Sequence, residues 1–177
     1  MKNRFVHYGL VLLVIAGVSA GILGLVNDFT KVVISQNGEK VVQEARREVL
    51  ATATSFDEKE AKEADGMRFI PGYDANGEIT GYVTTVTSAG YAGDIKFVMG
   101  ITKEGKVSGI SITSSQETPG LGAKIGGKDW QAHWAGKDVS YEFNKAEDAF
   151  AGATISPTAV YTGIIKALKA YDTEVRK

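Results

Sequence analysis

The chain has no cysteine, only two histidines and only three prolines among 177 residues. Without cysteine there is no disulfide, no thiol nucleophile and no thiolate-ligated iron–sulfur cluster. His7 and His133 are too few for a multi-histidine metal site or a histidine-centred triad, and His7 sits beside a long apolar run. Glu117 is a candidate carboxylate base, but no partner for it is marked, so no independent catalytic activity is expected. A charge excess is missing too. The 20 basic and 21 acidic residues leave a formal net charge of −1, and no basic run or aromatic platform marks a nucleic-acid surface. If this protein moves electrons, an organic cofactor has to carry them.

What the chain does have is one long uncharged stretch. Tyr8 to Val26 contains 19 residues, eleven of them Leu, Ile or Val. As a helix it extends about 28 Å against a hydrocarbon core of about 30 Å, enough to span. A cleaved signal peptide competes, because Val18-Ser19-Ala20 suits a signal peptidase. However, the apolar run continues through Ile22-Leu23-Gly24-Leu25-Val26, which favours an uncleaved anchor. Lys2 and Arg4 precede the span while Asp28 and Lys31 follow it, so the positive-inside rule puts the N-terminus in the cytoplasm and the rest outside the cell membrane. Gly17 and Gly21, with Ala16, Ala20 and Gly24, form a small-residue strip along which another membrane helix can pack.

Beyond the span the apolar period changes twice. From Gly38 to about Ala64 it is helical, with Val41, Val42, Ala45, Val49 and Leu50 as a stripe; the charged run Asp57–Glu60 reads as a solvated face of a second helix. From Arg68 it turns toward β-structure. Asp74-Ala75-Asn76-Gly77 is a turn signal before a strand over Ile79–Val86, and further strands follow at Ile95–Ile101 and Val107–Thr113. Short connections between them predict an antiparallel sheet. Trp130 and Trp134, at helical spacing, are expected in the core, and a helix from Pro157 to about Tyr171 covers the sheet. The expected architecture is α+β: residues 1–7 cytoplasmic, 8–26 spanning, 27–66 a membrane-proximal helical segment, and 67–177 a globular domain with an antiparallel sheet and flanking helices.

Two segments carry chemistry. In Asp148-Ala149-Phe150-Ala151-Gly152-Ala153-Thr154-Ile155-Ser156-Pro157, Ser156 suits an N-cap and Pro157 the first helical position. That places the Thr154 hydroxyl beside unpaired backbone donors, where a phosphate is well received. Gly152 and Ala153 leave room for a bulky group. In Glu117-Thr118-Pro119-Gly120-Leu121-Gly122, the proline stiffens a turn, Thr118 supplies a hydroxyl, and the glycines allow close approach of a planar ring. Each segment alone reads more readily as an ordinary glycine turn.

Together, and about 30 residues apart, they resemble the FMN-binding domain family, over roughly Tyr82 to Leu168. The first is similar to its flavinylation motif Asp-x-x-(Ser/Thr)-Gly-Ala-Thr, and the second to its Glu-Thr-Pro-Gly-Leu-Gly loop. Ala151 stands where the family carries Ser or Thr, and Ser115 where it often carries histidine. The resemblance implies FMN joined by a phosphoester to Thr154, with Asp148 part of the recognition sequence. It further assigns Gly152, Ala153, Ser156, Glu117, Thr118, Gly120, Leu121 and Gly122 to the cofactor. Tyr91, in the loop Gly90-Tyr91-Ala92-Gly93, is either a ring contact or a hairpin residue.

The family includes the G component of the Rnf electron-transport complex and the C component of the sodium-pumping NADH:quinone oxidoreductase. The resemblance therefore implies an electron-carrier subunit of an Rnf-type complex that couples electron flow to ion translocation. Its implied partners are the other membrane subunits, a flavin transferase for maturation, and the lipid bilayer. The alternative is a membrane-anchored structural module without a redox cofactor.

Overall fold

The computed structural model describes residues 2–176, and for residues 2, 3, 28, 29 and 31–36 the backbone only. The flanking charges Lys2, Asp28 and Lys31 thus lie outside the described side chains. Two compact units divide the chain, one up to Lys40 and one from Val41 onward. The described residues of the first all belong to helix α1 (Lys2–Val49). Within it, Arg4–Asn27 is long and apolar enough to cross a membrane, and its side chains are exposed.

The second unit is built on a six-stranded antiparallel sheet. Its strands are β1 (Ser55–Phe56), β2 (Lys62–Ala64), β3 (Met67–Tyr73), β4 (Ile79–Ala89), β5 (Asp94–Thr102) and β6 (Val107–Ser114). Their order is β1-β3-β4-β5-β6, with β2 also paired to β3. Local chemistry fixes the register. The Asp74 carboxylate accepts from the amides of Asn76 and Glu78, and Gly77 turns the chain at φ +81° into β4. Val, Ile and Thr dominate β4 and suit its pleat.

Alternation along the strands sends side chains to two cores. Phe69, Val86, Phe97, Met99 and Ile101 face α4 (Ile155–Ala170), whose Val160, Ile164, Ala167 and Leu168 are fully or almost fully buried against them, with Trp130 and Trp134. The intervening Ile70, Val83 and Val98 face Ala45, Val49 and Leu50 at the end of α1. The sheet is therefore covered on both faces. Two short helices, α2 (Lys128–Ala132) and α3 (Lys145–Asp148), lie between β6 and α4.

One expectation is overturned. The helical pattern from Gly38 does not persist to Ala64: α1 stops at Val49, and the globular unit starts at Val41 rather than at residue 67. Sheet contacts explain the stop. Ser108 Oγ donates to the Val49 carbonyl at 2.5 Å, Leu50 and Ala53 are drawn into the core, and the following residues pair with β3 through Phe56↔Gly72 and Lys62↔Phe69. The Asp57–Glu60 run is no second α-helix. Asp57 caps a short 3-10 turn at Glu58–Glu60, whose residues are solvated as their charge requires.

Candidate functional site

Three loops meet at the start of α4. The first follows β6 directly. Its Leu121 amide donates to the Thr118 carbonyl at 3.1 Å, with Pro119 second and Gly120 third at φ +77°, the pattern of a type II turn. The second is Phe150–Ala153, closed by the Ala153 amide on the Phe150 carbonyl at 3.0 Å, again with glycine, Gly152, third at φ +78°. This turn is made by backbone alone, so Ala151 suffices where the related motif has a hydroxyl. The third is Gly90–Gly93, joining β4 to β5.

Glu117 ties the first and third of these loops to the first turn of α4. Only 6% exposed, it accepts on Oε1 from the amides of Tyr91 (2.9 Å) and Ala92 (3.0 Å), and on Oε2 from Ser156 Oγ (2.5 Å). Its own amide donates to Ser115 Oγ at 3.3 Å, so the residue at the histidine position makes a local loop bond. The carboxylate is thus engaged as an acceptor joining these elements.

Close approach around it requires glycine. A Cβ on Gly122 would collide with Ser156 Oγ and lie 2.6 Å from Glu117 Oε2; one on Gly90 would collide with Glu117 Oε1. Gly122→Ala is expected to destabilise the protein by about 1–3 kcal/mol, read as a lower urea midpoint. An unchanged midpoint would show that the clamp tolerates displacement.

Helix α4 begins two residues earlier than the sequence predicts. Thr154, not Ser156, is the N-cap, and Ser156 and Pro157 lie within the first turn, because Glu117 holds the Ser156 hydroxyl. Thr154 adopts φ −97°, ψ −24°, away from the extended conformation that suits a capping side chain, and makes no side-chain cap bond. Its Oγ1 has no hydrogen-bond partner among the described residues. Nearby, the amides of Ile155 and Ser156 have no intrahelical acceptor, and Pro157 has no amide to leave unpaired.

The half-buried Thr154 lies where two cavities adjoin. One, of about 290 Å³, is lined by Tyr91, Glu117, Thr118, Leu121, Gly122, Gly152, Ala153, Thr154 and Ser156, every residue singled out from the sequence except Gly120, with Ile155 in addition. Gly120 shapes the turn behind it. Tyr91, Leu121 and Ile155 are exposed there by 72%, 44% and 51%, giving the mouth an apolar rim. The other, of about 710 Å³, runs from Thr154 and Ile155 past Thr158, Thr162 and Lys166, facing β4 from Thr85 to Ala89. Sequence reasoning missed Ile155 and this groove. The four-residue repeat Thr154, Thr158, Thr162, Lys166 was the available signal, since that spacing puts them on one helix face.

Trp130 and Trp134 line neither cavity. Trp130 donates its Nε1–H to the Asp148 carbonyl at 2.8 Å and packs on Phe150, holding the second loop from behind. Asp148 itself is fully buried. It receives hydrogen bonds from His133 Nε2 (2.6 Å), the Tyr141 hydroxyl (2.8 and 3.0 Å) and the Asn144 amide (2.7 Å). Burial, and then the bond to Asp148, push the Tyr141 phenol up to about 12, so it remains a donor through the neutral range.

A sheet of this topology, with glycine turns around a free hydroxyl at a helix start, makes an α+β domain with an open site at the head of α4. The family described as FMN-binding domain matches residues 90–169, from the third loop nearly to the end of α4. The chain is 33% identical to the G component of the Na(+)-translocating ferredoxin:NAD(+) oxidoreductase complex of Acetobacterium woodii, covering 92% of this chain and 89% of that one. It is 30% identical to the G component of the ion-translocating oxidoreductase complex of Shewanella piezotolerans, over 98% and 92%. In fold it resembles the crystal structure of Shewanella oneidensis NqrC, with a TM-score of 0.52 at 16% identity over 70% of each chain. The chain belongs to the family of G components of ion-translocating oxidoreductase complexes.

Proposed function

We propose that this chain is an electron-carrying flavoprotein subunit of an Rnf-type complex, with FMN joined through its phosphate to Thr154 Oγ1. The observation that carries the reading is the uncapped Thr154 hydroxyl at the junction of the two cavities. Attachment needs a transferase and FAD as donor. The Oγ1–P bond forms as the pyrophosphate bond of FAD breaks, AMP leaves, and the hydroxyl proton passes to solvent.

The residues suit such a group. The ester phosphate would sit beside the free amides of Ile155 and Ser156, at the positive end of the α4 dipole. Tyr91, Leu121 and Ile155 offer apolar surface to a ring, and the 290 Å³ cavity or the longer groove gives it room. When bound, FMN would supply reversible storage of one or two electrons. The protein's part is to tether, orient and partly shield it. A covalent bond prevents its loss on the outer face of a membrane, where no cytoplasmic pool replaces it.

Arg4–Asn27 would anchor the chain in the bilayer with its N-terminus cytoplasmic and the flavin domain outside, docked to the other membrane subunits. Electrons from ferredoxin or NADH oxidation elsewhere in the complex would pass through it, coupled to ion translocation. Protease added to spheroplasts of a host containing the transferase should release a yellow fragment that bleaches with dithionite. A colourless fragment contradicts the carrier role, and a fragment released only after lysis contradicts the orientation.

A further inference from the structure

We infer that Asp148 controls flavin attachment from inside the fold: its carboxylate positions the Phe150–Ala153 turn and through it the Thr154 hydroxyl, and the transferase does not touch it. The inference rests on the Thr154 reading.

Accessibility comes first. At 0% exposure, the Asp148 side chain offers no atom to a second protein docked on the folded domain. Its acceptor capacity is also spoken for. His133 comes from the end of α2, Tyr141 from the following loop, and Asn144 from the N-cap of α3, so three separate pieces of chain donate to one carboxylate. A buried carboxylate with this donor set keeps its place, because losing any donor leaves charge without compensation.

The influence reaches Thr154 along a short, pinned path. The Asp148 carbonyl is held by Trp130 Nε1, the Phe150 ring packs on the same indole at 5.7 Å, and Phe150 pairs with Ala153 through its backbone. Thr154 is the next residue. Ala151 and Gly152, at the tip of the turn, are exposed and are what a transferase would meet. The motif aspartate thus determines where the acceptor oxygen stands, and the surface turn determines what is read.

Variants that leave Asp148 in the sequence but remove its donors separate the two roles. The full-length chain in detergent, purified transferase and FAD would be used to follow FMN incorporation at rising chain concentration. His133→Ala and Tyr141→Phe, like Asp148→Asn, are expected to lower the saturated rate roughly ten- to hundredfold with little change in KM, as misplaced reacting groups do. His133→Gln, whose amide can donate to the same oxygen, should recover much of the rate. Near-UV circular dichroism checks that each variant is folded. Tyr141→Phe removes a single oxygen, and decides the question if His133→Ala does not fold. Wild-type rates in His133→Ala and Tyr141→Phe beside a defective Asp148→Asn, or a defect confined to KM, would overturn the inference. Failure of the wild-type chain to incorporate FMN would instead overturn the Thr154 assignment.

Discussion

Thr154→Val, matured beside a flavin transferase, is expected to be colourless and to have the mass of the unmodified polypeptide, while the parent chain carries one FMN. The substitution removes the only atom able to form the ester and little else. Thr154 makes no side-chain cap bond and is half-buried, so stability should shift by less than about 0.5 kcal/mol, and the loss of flavin reflects chemistry and not unfolding. Thr154→Ser, which keeps the hydroxyl, should retain the flavin. Equal masses for the valine variant and the parent, after allowing for the substitution, would contradict the assignment.

The second large effect is expected at Glu117. Alanine there leaves the Tyr91 and Ala92 amides and the Ser156 hydroxyl without their acceptor, all in a partly or fully buried setting. Stranding donors that had been paired to a buried carboxylate destabilises by roughly 3–5 kcal/mol. The first and third loops should also separate from the start of α4, so FMN incorporation should fall with stability. Glu117→Gln is expected to be much milder, since its carbonyl can still accept from both amides and the Ser156 hydroxyl can rotate to accept from the new NH2. Urea unfolding followed by tryptophan fluorescence, with flavin content measured on the same samples, checks both. An alanine variant as stable as the parent would show that Glu117 does not hold the loops.

Local chemistry carried the parts of the fold that could be read from sequence. Strands β4, β5 and β6 stand out because Val, Ile and Thr recur between turn signals, and Val160, Ile164 and Leu168 mark the buried face of α4 at helical spacing. The segment after Val49 was illegible for the opposite reason. The apolar stripe that marks the helix ends at Leu50, and beyond it strand β3 has an edge to fill: Phe56 pairs with Gly72 and Lys62 with Phe69, and this pairing outweighs propensity. The site divides in the same way. Its glycine turns are visible as Pro119-Gly120 and Gly152, whereas Ser156 reads as a cap only because its partner Glu117 lies 39 residues earlier. The burial of Asp148 was equally hidden, since its side-chain donors His133 and Tyr141 acquire meaning only once α2 and α3 are folded beside it.

The most direct test of the central claim is tandem mass spectrometry of the peptide containing residues 148–157, taken from chain matured with the transferase. A single FMN phosphoester on Thr154 is the predicted result. An unmodified peptide, or flavin carried on Thr158 or any other residue, would contradict it.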